Sequence, residues 1–192
     1  MNSKKRVILI TDGDESAKGA VELAAKSLDL YFVAESGGNP SKISGEQLVK
    51  LIKGADKEIV LVLFDDCGYP NKGPGESALV QVVNSPDIEI LGAIAVASES
   101  YSREWTRVNV SIDRNGVLTE YGVDKGGIID TAVGRIRGDT VSVLDELPIP
   151  LIVGVGDLGK MGGRDSIEKG APITKLAIEL ILERSRTNGS GT

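Results

Sequence analysis

Short runs of apolar residues alternate along the chain with segments in which apolar residues recur every three or four positions. A continuous apolar run predicts a buried strand, whereas the recurring pattern predicts an amphipathic helix. The runs predict strands at 6–11, 31–34, 59–64, 88–97 and 151–155, and the recurring pattern predicts helices at 15–28, 44–53, 76–84, 140–147 and 172–184. Alternating strands and helices with short connections favour right-handed βαβ crossovers. We therefore predict a doubly wound α/β fold, with a mostly parallel five-stranded sheet and helices on both faces.

One segment breaks this alternation. Residues 108–112 and 116–121 alternate apolar and polar positions on either side of Asp113-Arg114-Asn115-Gly116, which predicts an antiparallel β-hairpin. We interpret residues 100–138 as an insertion, or as an extension of the sheet edge. The whole of 1–186 is then one domain, followed by a polar, glycine-rich tail at 187–192 that we expect to be flexible.

Composition removes several classes of function. The net charge of −6 disfavours nucleic acid, because a negative protein repels phosphate backbones. Cys67 is the sole cysteine, so no internal disulfide can form, and no apolar run is long enough to span a membrane. No signal peptide is evident at the start, so we expect a soluble, cytoplasm-type protein. The chain has no histidine, which excludes Ser-His-Asp and Cys-His catalysis and zinc sites built from histidine.

Acidic residues follow two of the predicted strands. Asp12 and Asp14 come after the first strand, and Asp65 and Asp66 come after the third. Ligands of doubly wound folds bind at the carboxyl edge of the sheet, and carboxylate oxygens suit Mg²⁺ or Ca²⁺. We predict a metal site from these four residues, loosely like the Toprim arrangement. Asp65 and Asp66 are adjacent, so their side chains need not point the same way, and helix capping or turn formation is the alternative for all four.

The glycine-rich segments do not predict a nucleotide site. Gly154-x-Gly156-x-x-Gly159 follows a strand, but the next predicted helix begins only near Pro172, too late to receive a pyrophosphate. Lys160 lacks the following Ser or Thr of a P-loop. We interpret Lys160, Arg164 and Asp165 as parts of a solvated loop, and contact with a ligand or partner is the alternative. No catalytic and no cofactor-binding residue is predicted, and the one ion expected is Mg²⁺ or Ca²⁺ at the acidic site.

The segment 100–138 also carries the residue types that enrich protein interfaces. Aromatic and arginine side chains dominate interface hot spots. We therefore predict an interface that includes Arg103, Trp105, Arg107 and Tyr121. Burial of Trp105 under the hairpin is the alternative for that residue.

Longer motifs resemble the stage V sporulation protein AE family (SpoVAE, the soluble SpoVAEa type) of spore-forming bacteria. The resemblance runs through nearly the whole chain and rests on TDGDESA at 11–17, SGGNPS at 36–41, FDDCG at 64–68, GPGESAL at 73–79, LGAIAVAS at 91–98, EWTRVNVSIDRNGVLTEYGVDK at 104–125, GDTVSVLDELPIPLIVGVGDLGKMGGRD at 138–165 and PITKLAIELILERS at 172–185.

The resemblance implies a soluble accessory protein of the SpoVA system, which moves dipicolinic acid and its calcium chelate in sporulation and spore germination. Its expected partners are other SpoVA proteins, including membrane channel subunits. Its expected location is the forespore or spore, at the inner spore membrane through those partners. The lack of histidine and of a phosphate loop favours a nonenzymatic role. The alternatives are a metal-dependent, Toprim-like phosphoryl-transfer or hydrolytic enzyme, and a binding module for dipicolinate.

Overall fold

The structure is a computed structural model that describes residues 4–68, 72–98, 105–138 and 140–189, with side chains described to residue 187. Its strands are β1 (Lys5–Ile10), β2 (Tyr31–Phe32), β3 (Ile59–Leu63), β4 (Ile88–Val96), β5 (Thr106–Arg107), β6 (Val110–Ile112), β7 (Leu118–Thr119), β8 (Tyr121–Val123), β9 (Ile129–Val133), β10 (Arg135–Ile136) and β11 (Ile152–Val155). Its α-helices are α1 (Glu15–Leu28), α2 (Gly45–Gly54), α3 (Pro74–Val83) and α4 (Pro172–Gly189).

A seven-stranded sheet forms the centre of the fold, in the order β2-β3-β1-β4-β11-β6-β7. Every neighbouring pair is parallel except β6 and β7, which form the predicted antiparallel hairpin. All five predicted strands lie in this sheet, so the mostly parallel α/β fold is confirmed. The sheet has two more strands than predicted because β6 pairs in parallel with β11, with Val153 opposite Val110. The hairpin therefore extends the sheet edge.

Helices cover both faces of the sheet, as predicted. Successive side chains of a strand point to opposite faces. Ile8 and Ile10 of β1 pack in the cluster that includes α1 and α4, whereas Val7 and Leu9 pack in the cluster that includes α2 and α3. All four side chains are fully buried. Burial of each such aliphatic side chain contributes about 1.5–3 kcal/mol, which accounts for the continuous apolar runs in the sequence.

The segment after residue 138 departs from the prediction. Instead of an α-helix at 140–147, the structure has a short 3₁₀ helix at Ser142–Glu146. Thr140 adopts a positive φ of 60°, and Leu147 and Ile149 each precede a proline. A residue before proline disfavours the helical region, so the segment cannot extend into a full α-helix. At the other end of the chain, α4 continues to Gly189, three residues into the predicted tail.

The remaining strands form two small antiparallel pairs, β5 with β10 and β8 with β9. Val123 and Ile136 anchor them in the core cluster on the α2 and α3 side. Within the described ranges, no helix has the length and apolarity needed to cross a membrane.

Candidate functional site

A cleft opens at the carboxyl edge of the sheet, where β1, β3, β4 and β11 end. The chain runs from β1 to β2 at one edge of the sheet, and from β4 toward β6 and β7 at the other edge. Because β1 and β4 are neighbours, the sheet has a switch point between their carboxyl ends. Ligands bind at such switch points in doubly wound folds. The cleft has a volume of about 230 Å³ and is lined by Thr11, Asp12, Asp14, Asn39, Asp65, Cys67, Gly68, Val96, Ser98 and Asp157. Four of these ten described residues are aspartates, which makes the cleft strongly acidic.

Asp12 is one of the two buried carboxylates of the cleft: it is 9% exposed, and Asp65 is 7% exposed. Its Oδ1 accepts hydrogen bonds from the backbone N–H groups of Gly13 at 2.8 Å and Asp14 at 3.3 Å. Its Oδ2 is buried and has no hydrogen-bond partner among the described residues. Burial, reinforced by the negative charges of Asp14, Asp157 and Asp65, raises the pKa of Asp12 to about 7.

Lys160 joins two further carboxylates of the cleft. Its Nζ lies 2.5 Å from Asp14 Oδ2 and 3.3 Å from Asp157 Oδ2. Burial acts to raise the pKa of Asp14, but the Lys160 ammonium and the N–H of Ala17 outweigh it and hold that pKa below its usual value. Burial also acts to lower the pKa of Lys160, yet the two carboxylates raise it. Asp14 is in addition the N-cap of α1, the alternative role considered for it, since its Oδ1 accepts from Ala17 N at 2.9 Å.

The adjacent residues Asp65 and Asp66 point in different directions. Asp65 lines the cleft, and its Oδ1 accepts the N–H of Cys67 at 2.7 Å. Asp66 caps α3 from outside the helix: Oδ1 accepts from Gly75 N at 2.6 Å and Oδ2 from Glu76 N at 3.0 Å. Thr140 Oγ1 also donates to Asp66 Oδ2, at 3.2 Å. The structure thus brings Asp12, Asp14 and Asp65 to one cleft, while Asp66 serves the capping role that was the alternative.

The sequence analysis did not predict Asp157 as a site residue, and it described the loop after β11 as solvated. Asp157 follows the predicted strand at 151–155, so the rule that selected Asp12 and Asp65 could also have found it. Lys160 contacts the cleft carboxylates rather than solvent alone. Asp165 is fully buried and accepts from Ile173 N at 2.7 Å and Thr174 N at 3.0 Å, at the start of α4. The expectation of a solvated loop was therefore wrong for Lys160 and Asp165.

The glycine motif of this loop serves close packing. Gly159 has a φ of +74°, and a Cβ there would lie 2.6 Å from the backbone oxygen of Ser16. A Cβ at Gly156 would lie 2.6 Å from the backbone nitrogen of Gly127. The loop can therefore approach both the start of α1 and the β8–β9 turn. The helix that follows begins at Pro172, as predicted.

The cleft is rich in oxygen donors but is not a closed metal cage. Across residues 4–68, 72–98, 105–138 and 140–189, no three Asp, Glu or Cys side chains are arranged as a metal site. The metal site inferred from the sequence stays a prediction. Any ion in the cleft would need water or ligand oxygens to complete its coordination.

A second cleft of about 330 Å³ adjoins the first and shares Ser98 with it. The half-buried Trp105 lines it, and the Arg137 guanidinium lies 3.9 Å from the centre of the indole ring. This is a cation–π contact. Trp105 is thus half-buried and lines a cleft, and its part in an interface stays a prediction.

Of the other predicted interface residues, Arg103 lies outside the described residues. Arg107 and Tyr121 are both exposed, and each lies opposite another exposed residue: Arg107 opposite Arg135, and Tyr121 opposite Val133. Exposed positions also alternate along β9 from Ile129 to Val133. Tyr121, Ile129 and Val133 belong to the β8–β9 pair, and Arg107 and Arg135 belong to the separate β5–β10 pair, whose strand β10 follows directly after Gly134. We name these five exposed residues together the β9 face.

The fold and its clefts define the class of protein: a doubly wound α/β domain with an acidic cleft at its switch point. A family model described as Stage V sporulation protein AE1 (SpoVAE) matches residues 6–185 of the chain, and the chain belongs to this family. The family resemblance of the motifs is thereby confirmed, and the chain is a sporulation-related protein of the SpoVA group. Neither the comparison with curated proteins nor that with solved structures gave a match.

Proposed function

We propose that this chain is a nonenzymatic accessory protein that docks through the β9 face on a membrane subunit of the SpoVA system and promotes the movement of dipicolinic acid. Family membership supports the association with the SpoVA system. The observation that carries the docking surface is the pair of exposed arginines opposite one another in the β5–β10 pair, whose strand β10 is the next strand after β9 in the chain. Docking of this kind holds the protein at the inner spore membrane through its partner.

The apolar part of the β9 face supports docking because its side chains remain in water. Tyr121 is 39% exposed, Ile129 47% and Val133 59%. Single exposed apolar residues are ordinary, but neighbouring ones with aromatic and arginine residues are typical of protein interfaces. The free energy gained by removing these side chains from water favours a partner with an apolar segment.

The arginine part of the face indicates the charge of that partner. Arg107 and Arg135 are cross-strand neighbours, and like charges directly opposite each other destabilise a strand pair. Neither guanidinium forms an ion pair or hydrogen bond with the residues that the structure describes. Asp145 accepts the backbone N–H of Arg107 at 3.1 Å. Carboxylates of a partner would relieve the repulsion and could pair with each arginine in a bidentate manner.

The docking surface is tested by a double charge reversal, Arg107→Glu with Arg135→Glu. We expect this variant to lose binding to inner membranes prepared from spores, measured by co-sedimentation, because an acidic partner would repel it. The unaltered protein should bind membranes from spores that contain the other SpoVA proteins and not membranes from spores that lack them. Trp105 is left intact because it forms part of the second cleft.

The matched control is Lys26→Glu with Lys50→Glu, which changes the net charge equally at exposed positions of α1 and α2. It should bind like the unaltered protein. Equal binding by the two double variants would reject the β9 face, and binding that ignores the other SpoVA proteins would reject the proposed partner.

A further inference from the structure

The acidic cleft contains a buried carboxylate oxygen that has no partner. Asp12 Oδ1 is held by the two backbone N–H groups of Gly13 and Asp14, which leaves Oδ2 for the cleft that Asp12 lines. No described residue donates to Oδ2. A buried polar atom without a hydrogen bond is costly, and native structures almost always supply it with a partner. The missing partner of Oδ2 is therefore something that enters the cleft.

The charges around the cleft select a cation. Asp14, Asp65 and Asp157 line it together with Asp12, and Lys160 is paired with only Asp14 and Asp157. Among the residues that the structure describes, four carboxylates of the cleft thus lie near a single paired lysine. The potential of a cleft with such an excess of negative charge concentrates cations.

The atoms that line the cleft select a hard cation. Asn39 and Ser98 also carry side-chain oxygens, Cys67 is the lining residue with a sulfur, and the chain has no histidine, so oxygen atoms outnumber softer donors among the lining side chains. Oxygen donors suit Mg²⁺ and Ca²⁺, whereas softer metals prefer nitrogen and sulfur. We propose that the cleft binds one hydrated divalent cation of this hard class, with Asp12 Oδ2 as a direct ligand and Asp65 and Asp157 beside it.

The open arrangement of the carboxylates fits such an ion. Mg²⁺ usually keeps several waters and takes only one or two protein carboxylates. A cleft of about 230 Å³ has room for an ion with several waters, at about 30 Å³ for each water. The proposed site therefore does not need three carboxylates that contact the ion directly. Cation binding in the cleft is also independent of docking at the β9 face.

Lys160 acts as a competitor of the ion. Its ammonium already pairs with Asp14 and Asp157, so a divalent cation must bind against its positive charge. Lys160→Met keeps most of the volume of the side chain and removes the charge. If Lys160 competes with the ion, this variant should bind the cation more tightly. If Lys160 only stabilises the fold, its loss should not strengthen binding.

The experiment is calorimetric titration of the chelator-treated full chain with Mg²⁺ and with Ca²⁺, in about 0.15 M salt to screen diffuse attraction. We expect one ion per chain. Asp12→Asn should weaken binding about tenfold or more, since even the loss of a group that supports a metal ligand weakens binding 10–100-fold. The matched control is Asp29→Asn, because the Asp29 side chain is 84% exposed and far from the cleft in sequence.

Folding of each variant is checked by circular dichroism, and Asp157→Asn provides a second removal of cleft charge if Asp12→Asn fails to fold. Absence of binding by the unaltered chain overturns the proposal. Equal affinities of the unaltered chain and a folded Asp12→Asn or Asp157→Asn variant also overturn it. Unchanged or weaker binding by folded Lys160→Met overturns the position of the ion beside Asp157.

Discussion

At the scale of single residues, Asp12 combines burial with an unpaired oxygen, and both features oppose its ionisation. Its pKa rises from 3.8 to about 7 in the folded protein. In the unfolded chain this carboxyl loses its proton near the ordinary value. The folded state therefore binds the Asp12 proton more tightly than the unfolded state does between these two pH values.

The resulting prediction concerns stability and pH. The contribution of Asp12 is neutral below the unfolded pKa of 3.8, becomes increasingly unfavourable as pH rises, and levels off above about 7. Asn cannot ionise, so Asp12→Asn should be more stable than the unaltered protein at pH ~8, by up to about 4 kcal/mol, and much less so at pH ~5. Urea unfolding across this pH range, with a chelator present, measures the difference.

The control for this prediction is Asp29→Asn, which changes the same chemical group at an exposed position. Its difference from the unaltered protein should not vary with pH over that range. A constant difference for Asp12→Asn as well would show that Asp12 titrates normally in the folded state. A gain in stability on loss of the carboxylate is typical of functional sites, where polar groups are kept at a cost in stability.

At the scale of elements, the sequence predicted those features that depend on nearby residues. Ser44 caps α2 with a capping box to Gln47, three positions away, and Pro172 begins α4 as predicted. Capping was only the alternative for Asp66, with no helix named, and the cap made by Asp165 was not predicted. Asp66 lies 9 and 10 residues before the N–H groups that it binds, and Asp165 lies 8 and 9 residues before its own. A local sequence pattern cannot show which N–H groups such an aspartate binds, because the loop between the aspartate and the helix must fold first.

Asp165 supports a prediction about α4. Its carboxylate accepts four hydrogen bonds, from Ile173 N, Thr174 N, Thr174 Oγ1 and Gly159 N. Asp165→Asn replaces one acceptor oxygen by a donor and removes the charge, so some of these N–H groups are left unpaired in the core. We expect a loss of about 2–4 kcal/mol in the free energy of unfolding. Urea unfolding measures it.

Glu168→Gln is the matched control in the same loop, since Glu168 is exposed. It should leave the unfolding midpoint unchanged. If Asp165→Asn and Glu168→Gln unfold at the same urea concentration, the buried carboxylate does not hold α4 to the loop.

At the scale of the whole molecule, the doubly wound fold followed from apolar runs, but the pairing of distant segments did not. β6 joins β11 at positions more than forty residues apart in the chain, and only their shared burial decides it. The cleft was predicted in part for the same reason. Asp12 and Asp65 follow strands that are plainly neighbours in a parallel sheet, whereas the Asp157 loop comes to the cleft through the close approach at Gly159.

The prediction at this scale is genetic. Deletion of the protein should slow the release of dipicolinic acid from germinating spores, because the accessory protein would be missing from the SpoVA machinery. The unaltered chain and the Lys26→Glu, Lys50→Glu variant should restore release, and the Arg107→Glu, Arg135→Glu variant should not. Release is followed by the fluorescence of the terbium complex of dipicolinate. Normal release from the deletion strain would contradict the function, independently of any cation binding.

The link between Asp14 and Lys160 joins residues 146 positions apart. Asp14 stands at the start of the first helix, and Lys160 follows the last strand of the sheet. A contact of such sequence separation forms only after the intervening chain has been ordered, and long-range contacts slow folding. An unfinished chain that ends before β11 would lack Asp157 and Lys160 and hence one wall of the cleft. The acidic cleft is in this sense absent from the nascent protein until β11 and the loop after it have emerged.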